Sequence, residues 1–97
     1  MGRGAAMMQV FVYEYLSGGG LIDGDAVATA VLMPQGLAMR DALVADLLAS
    51  GDCDVTAATC VHAGALPRGA AEAVAHDGET PEAFAARLAA RHDAAWI

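Results

Sequence analysis

Apolar positions recur along this chain with the periods of both strands and helices. Residues 9–15 are β-branched and aromatic, and both alternating faces are largely apolar, which is typical of a strand covered on both sides. Residues 54–60 predict a second strand, and residues 72–76 predict a short third one. The closing residues 93–97 carry no polar position after the aspartate, so we expect a buried strand there.

The clearest helical pattern covers residues 34–50. Pro34 suits the first helical position, and Gly51 stands just past the end. An apolar stripe at helical spacing leaves Arg40 among the polar positions outside it. The stripe consists of Leu37, Leu43, Val44, Leu47 and Leu48.

Residues 80–92 predict a second helix, in which Thr80 is the N-cap and Pro81 takes the first position. Residues 16–24 are expected to form a loop, while residues 25–33 fit either a short helical stretch or an extended run. Strands that alternate with helices indicate a parallel sheet with helices packed on it. The sequence therefore predicts a small three-layer, Rossmann-like α/β domain with a mostly parallel sheet and the first strand at its centre.

The charge of the chain excludes some classes of partner. The sequence contains twelve acidic residues and five arginines, which gives a formal charge of −7, and it contains no lysine and no asparagine. A protein that binds nucleic acid or an anionic membrane surface needs a basic patch, so we expect neither partner. No run of about 18 apolar residues predicts a membrane span. Two cysteines do not form a disulfide framework, so we expect a cytoplasmic protein with reduced thiols.

The length allows one domain, which we assign to residues 8–97. Residues 1–7 are interpreted as a disordered or added start. The run that ends in Trp96 and Ile97 resembles the middle of a core strand, so we expect a domain truncated there. The uncovered apolar surface near Trp96 is then expected to cause self-association unless another domain covers it.

The loop after the first strand is the best candidate site. Gly18, Gly19 and Gly20 begin two residues after the strand, and ligands of open α/β sheets bind beyond the carboxyl ends of strands. Glycines there let backbone N–H groups approach an anion. The spacing of the dinucleotide fingerprint fails because Asp23 occupies the place of its third glycine, and the phosphate-loop motif fails without lysine. A flexible turn and a contact to a small ligand or partner domain remain open.

Three polar residues near this loop have competing interpretations. Glu14 lies in an apolar strand, so it either bonds to the glycine loop, contacts a substrate amine or lies at the rim. Ser17 precedes the glycines, but no histidine base is recognisable for a nucleophile. Arg40 either binds a carboxylate or phosphate through charge-assisted hydrogen bonds or is an exposed helical arginine, which is the commoner case.

The cysteines and histidines give a weak metal pattern. The candidate ligands are Cys53, Cys60, His62 and His76. Their spacing begins C-x6-C-x-H, which lacks the close cysteine pair of a structural zinc site. We therefore expect no metal site. Cys60, at the end of the second predicted strand, either faces a cleft or is an inert thiol.

Two motifs give the chain a family resemblance. The run V-F-V-Y-E-Y-L-S-G-G-G-L over residues 10–21 and the segment Q-G-L-A-M over residues 35–39 resemble the N-terminal, pre-ATP-grasp domain of certain ATP-grasp ligases. Asp46-Leu47-Leu48 and the closing D-A-A-W-I also fit, so the resemblance covers the chain from Met8 onward. The group includes tyramine–glutamate ligase and related ligases of C1-carrier cofactor biosynthesis.

The resemblance implies a parent protein that joins a carboxylate to an amine through an acyl-phosphate made from ATP. The family holds ATP and Mg²⁺ with lysines, acidic residues and an asparagine. This chain lacks lysine and asparagine, so ATP and Mg²⁺ are expected in the parent protein and no cofactor in this chain. Its own expected role is scaffold and cleft rim, through Glu14, Ser17, Gly18, Gly19 and Gly20, with no catalytic residue.

Two other functions remain open. One is a free-standing α/β binding or interaction module that pairs with a separate catalytic subunit. The other is an independent small enzyme, which is the weakest because no acid–base or nucleophile set is visible. The expected partners are therefore the remaining ATP-grasp domains of the parent or a partner subunit.

Overall fold

A computed structural model describes residues 7–20 and 26–97. The elements follow in the order β1 (Met8–Val12), α1 (Ala26–Ser50), β2 (Cys53–Ala58), β3 (Ala71–Ala73), α2 (Pro81–Ala89) and β4 (Ala94–Trp96). None of the helices within these residues is long and apolar enough to cross a membrane.

The four strands form one sheet in the order β3-β2-β1-β4, and every described pair is parallel. In the register, Val10 lies between Val55 of β2 and Ala94 of β4. The prediction of an α/β fold with a parallel sheet and an inner first strand is confirmed. Parallel neighbours also place the carboxyl ends of β1, β2 and β3 at the same edge of the sheet.

The two faces of β1 pack against different helices. Val10 and Val12 contact α1 through Val44, in a cluster completed by Val55, Ala57 and the flanking Leu43, Leu47 and Leu48. Phe11 contacts α2 through Phe84, together with Tyr13, Ala58, Ala85 and Leu88. The sheet is therefore the middle of three layers, as the apolar faces of residues 9–15 predict.

Helix α1 begins at Ala26, eight residues before the predicted start at Pro34. Pro34 lies inside the helix, where it offers no N–H to the carbonyl of Ala30. The buried positions of the helix recur every three or four residues on both sides of the proline, so the packing of one face stabilises the helix through it. These positions are Thr29, Met33, Gly36, Arg40 and Val44. Of the two structures considered for residues 25–33, the helix is correct for residues 26–33. The loop predicted over residues 16–24 lies within the described residues only as far as Gly20.

Helix α2 has the predicted beginning. The Oγ1 atom of Thr80 accepts a hydrogen bond from the N–H of Ala83 at 3.1 Å, and Pro81 occupies the first turn. The helix ends at Ala89 rather than at His92.

The burial expected for the last strand is wrong. β4 forms next to β1, and the carbonyl of Trp96 accepts a hydrogen bond from the N–H of Tyr13 at 2.8 Å. However, β4 is an edge strand, and all three of its residues are exposed. An apolar run fixes the type of the element, but strand order decides how much of it is covered. Trp96 retains 40% of its surface exposed.

Candidate functional site

A cleft of about 560 Å³ opens at the carboxyl edge of the sheet. Its walls are residues 18–20 after β1, residues 59–61 after β2, and residues 74–81 between β3 and α2. The rings of Tyr13 and Phe84 complete the lining. This is the edge at which open α/β sheets bind ligands, because the loops after several parallel strands converge there.

The glycines after β1 make room for two tyrosine rings. A Cβ atom on Gly18 would lie 2.6 Å from Cε1 of Tyr13, so only glycine fits beneath that ring. Gly20 lies in the same way against the ring of Tyr15. Gly19 has a φ of +92°, which favours glycine for conformational reasons. The aromatic-Glu-aromatic segment and the triple glycine therefore form one packed turn.

Glu14 holds this turn together from the inside. Its carboxylate accepts hydrogen bonds from the N–H of Ser17 at 2.7 Å, from the Oγ of Ser17 at 2.8 Å and from the N–H of Leu16 at 3.1 Å. Both Glu14 and Ser17 are buried. Of the roles considered for Glu14, the structure shows the bond to the loop. A rim position is excluded by its burial.

The backbone N–H groups of the glycines are already used within the turn. Gly18 donates to the carbonyl of Glu14 at 2.8 Å, Gly19 to that of Leu16 at 3.1 Å and Gly20 to that of Tyr15 at 2.8 Å. An anion would have to compete with these three bonds. The glycines line the cleft, but in this conformation they do not form the ring of free donors that phosphate loops present.

The turn also contacts helix α1. A Cβ atom on Gly36 would lie 2.9 Å from the Cβ of Leu16 and would overlap the carboxylate of Glu14. Gly36 is buried, and only glycine allows the helix and the turn to approach so closely. The two sequence motifs, residues 10–21 and 35–39, thus meet in space at this point.

Arg40 is buried, in contrast to the polar, exposed position expected from the helical stripe. Its side chain has no exposed surface, and its Nε donates to Oδ1 of Asp41 at 2.8 Å. Its two terminal nitrogens donate to Oγ1 of Thr59 and to the carbonyl of Ala65, both at 3.3 Å. Arg40 therefore fixes the segment after β2, and with it one wall of the cleft. The partners lie 19 and 25 residues away, so helical spacing does not reveal them.

The opposite wall is held by an ion pair. Both carboxylate oxygens of Glu79 accept hydrogen bonds from Arg87, at 2.8 and 2.9 Å, and Oε1 also accepts from the N–H of His76 at 2.9 Å. These bonds, first of all those from Arg87, lower the pKa of Glu79 from 4.5 to about 2. Glu79 therefore joins the β3–α2 loop to the last turn of α2.

Tyr13 differs from the other polar groups of the cleft. The residue is only 4% exposed, and its hydroxyl has no hydrogen-bond partner among the described residues. Burial raises the pKa of Tyr13 to about 12, with smaller contributions from nearby groups such as Tyr15 and Glu82. The sequence places Tyr13 on a largely apolar face of the predicted strand, and that pattern does not reveal that its hydroxyl is buried without a hydrogen-bond partner.

The cysteines and histidines do not form a cluster. Cys53 begins β2 and Cys60 follows its end, and both are free thiols. Among the residues that the structure describes, no three His, Cys, Asp or Glu side chains lie close enough to hold a metal ion. Cys60 lines the cleft, which agrees with the first of the two interpretations of this residue, a thiol that faces a cleft.

A smaller cavity of about 410 Å³ lies beside the first half of α1. Thr29, Met33 and Pro34 contribute to its lining, and His62 closes one side. Its position at residues 26–34 was not foreseen, because the sequence left this segment undecided between helix and extended chain.

The two sides of the larger cleft differ in how well the sequence predicts them. The glycines were found because they follow a strong strand signal. Residues 74–81 were missed as a cleft wall, because β3 has three residues and a weak pattern.

Comparison with known proteins identifies no relative of the chain: no protein-family model, no curated protein and no solved structure matches it.

Proposed function

We propose that this chain is the N-terminal, pre-ATP-grasp-like domain of an ATP-dependent carboxylate–amine ligase, in which it supplies scaffold and one wall of the substrate cleft. The observation that carries the proposal is the cleft at the carboxyl edge of a parallel sheet, lined by the glycine turn. A wall role agrees with the chemistry of the described lining, which offers shape and few reactive groups.

The packing of the two resembling motifs supports this proposal. Glu14 and Leu16 of the first motif lie against Gly36 of the second. Helix α1 needs glycine at position 36, because a side chain there would collide with the turn. The turn in turn needs the buried carboxylate of Glu14 to accept hydrogen bonds from its backbone N–H groups. The motifs therefore behave as parts of one structural unit that shapes the edge of the cleft.

The described residues of the cleft do not fit the phosphates of ATP or their Mg²⁺ ion. Its lining contains no lysine or arginine, and the amides of the glycine turn are bonded internally. Asp77 adds negative charge, and the carboxylate of Glu79 is occupied by Arg87. Phosphates need cationic or free N–H donors, so we assign ATP and Mg²⁺ to other domains of the ligase.

No acid–base or nucleophile set is assembled among the described lining residues. Ser17 donates its hydroxyl hydrogen to Glu14 and lies inside the turn, away from the cleft lining. The thiol of Cys60 lines the cleft, but none of the described hydrogen bonds joins it to a histidine. We infer that the chain orients a substrate and leaves the chemistry to the remaining domains. The proposal also puts the protein in the cytoplasm, in agreement with its two free thiols.

The test is ADP formation in the presence of carboxylate and amine mixtures. The chain alone is expected to form none, whereas the chain joined to lysine-containing ATP-grasp domains is expected to form ADP only when both substrates are present. In that assembly, Gly19→Ala should raise the KM of the substrate that the cleft contacts, because the added Cβ would lie 3.2 Å from the Cβ of Cys60 and the φ of +92° strains any side chain at this position. ADP formation by the chain alone would contradict the proposal.

The second candidate, a free-standing module that pairs with a separate catalytic subunit, is favoured by the edge of the sheet. Trp96 and Ile97 expose 40% and 69% of their surface, which suits contact with another protein. The reading frame separates the two candidates. Continuation past Ile97 into an ATP-grasp region supports the first, and a stop codon beside a gene for such a region supports the second.

A further inference from the structure

The hydroxyl of Tyr13 is a polar group that the described fold leaves unused. Within residues 7–20 and 26–97, it is the buried side-chain polar atom that finds no hydrogen-bond partner. Buried hydroxyls are normally paired, because an unpaired one destabilises the folded state. The residue lines the cleft although its oxygen is covered, so a ligand that moves the covering wall aside would supply the missing partner.

The charges around the cleft disfavour both kinds of ion. Its lining contains no lysine or arginine, and the carboxylate of Asp77 repels anions. The carboxylate of Glu79 is already neutralised by Arg87, so it offers little to a cation. The positive end of the α2 dipole, at Thr80 and Pro81, also lies in the lining and disfavours cations. An uncharged ligand avoids both penalties.

The lining also provides an apolar surface. The rings of Tyr13 and Phe84 meet edge to face, with centroids 5.8 Å apart and an interplanar angle of 83°. Val61 and Val74 line the same space and are largely exposed. An aromatic or aliphatic body would cover these side chains, while one polar atom reaches Tyr13.

We propose that the cleft binds an uncharged organic ligand with an apolar body, and that Oη of Tyr13 donates a hydrogen bond to a carbonyl oxygen or ring nitrogen of that ligand. This inference rests on the proposed function in using the same cleft, which would hold the uncharged, apolar part of a substrate and not its reacting carboxylate or amine. It adds the class of the bound group and the residue that selects it.

Two properties of Tyr13 define how it acts. A tyrosine hydroxyl keeps its proton at neutral pH and is a donor, and burial raises the pKa of Tyr13 further, to about 12. The oxygen is closed off from solvent in the free protein, so the adjoining wall has to shift when the ligand enters. The glycine turn, which lies against the Tyr13 ring, is the wall next to it.

The inference is tested with three probes of similar size: benzamide, benzoate and benzylammonium. Their binding to the chain is followed by amide chemical shifts of residues 18–20 and 59–61. A fragment of about nine heavy atoms is expected to bind with a Kd of roughly 1 mM. Benzamide should bind most tightly, because it alone combines the apolar ring with an uncharged acceptor.

Two tyrosine variants separate recognition from structure. Tyr13→Phe should weaken benzamide binding by roughly tenfold, through loss of one hydrogen bond, yet unfold at no lower urea concentration than the wild type. Tyr15→Phe is the control, since Tyr15 packs on the same turn but lies outside the described cleft lining. It should bind benzamide as the wild type does.

Three results would overturn the inference: no saturable shifts with benzamide, equal affinity for benzamide in wild type and Tyr13→Phe, or tighter binding of either ion. None of these measurements depends on ATP or on ligase activity. A failure here would therefore leave the proposed ligase role standing, and failure of the ADP assay would leave the ligand class standing.

Discussion

The buried guanidinium of Arg40 makes the stability of the domain sensitive to one carboxylate. Asp41 is the only described carboxylate that forms an ion pair with Arg40, at 2.8 Å, and its own side chain is 42% exposed. Replacing Asp41 with Asn keeps the shape and an acceptor oxygen but removes the negative charge. A guanidinium without exposed surface is then left without its countercharge.

The magnitude follows from distance and exposure. Two unit charges about 4 Å apart, at the effective dielectric constant of a protein surface, attract by about 4 kcal/mol. The exposed fraction of Asp41 screens part of this energy, and the Asn oxygen still accepts a hydrogen bond from Nε. We therefore expect Asp41→Asn to lower the free energy of unfolding by about 1–2 kcal/mol.

The assay is urea unfolding at pH 7, followed by far-ultraviolet circular dichroism. With a slope near 1 kcal/mol per M, the midpoint should fall by roughly 1–2 M. Asp46→Asn is the matched control, because it removes the same charge from the exposed side of the same helix and should change the stability by less than about 0.5 kcal/mol. Equal effects of the two variants would refute the role given to the buried pair.

Three further predictions concern the walls and the edge of the sheet. The pKa of Glu79, about 2 in the folded state against 4.5, means that its pairing with Arg87 stabilises the fold above about pH 4.5 and that this stability is lost as the pH falls toward 2. The difference in unfolding free energy between wild type and Glu79→Gln should therefore shrink over that range in urea titrations, and a constant difference would contradict the pairing. Gly18→Ala should destabilise the fold by about 1–3 kcal/mol, because its Cβ would meet the Tyr13 ring; an unchanged melting temperature would argue against that packing. Sedimentation at micromolar concentration should show self-association that Trp96→Ser abolishes, and a monomeric wild type would exclude that contact.

The sequence predicts the elements and the layers well, because alternation is a local property. The faces of β1 are visible in residues 9–15, and they determine that Val10 and Phe11 pack in opposite layers. The start of α2 is equally local, since Thr80 and Pro81 are adjacent to the helix that they begin.

Other features depend on tertiary contacts that no local pattern contains. The burial of Arg40 requires Thr59 and Ala65 to be nearby, which depends on how α1 lies on the sheet. The exposure of β4 depends on strand order, since the same apolar run would be buried in an inner position. The extension of α1 to Ala26 was hidden by Pro34, which usually begins a helix.

The candidate site was predicted in part. The glycines were recognised, but the pattern suggested free N–H donors, and the three amides instead bond within the turn. The hydroxyl of Tyr13 escaped notice because tyrosine in a strand counts as apolar. Its lack of a partner becomes visible only when every buried polar atom of the described fold has been paired.

We propose above all that the carboxyl-edge cleft is one wall of a substrate site and binds no nucleotide. The most direct measurement is a titration of the chain with ATP and Mg²⁺, followed through the amide signals of Gly18, Gly19 and Gly20. Because these amides are bonded within the turn and the described cleft lining contains no lysine or arginine, the signals should not move. Saturable shifts of the three signals at micromolar ATP would contradict the account.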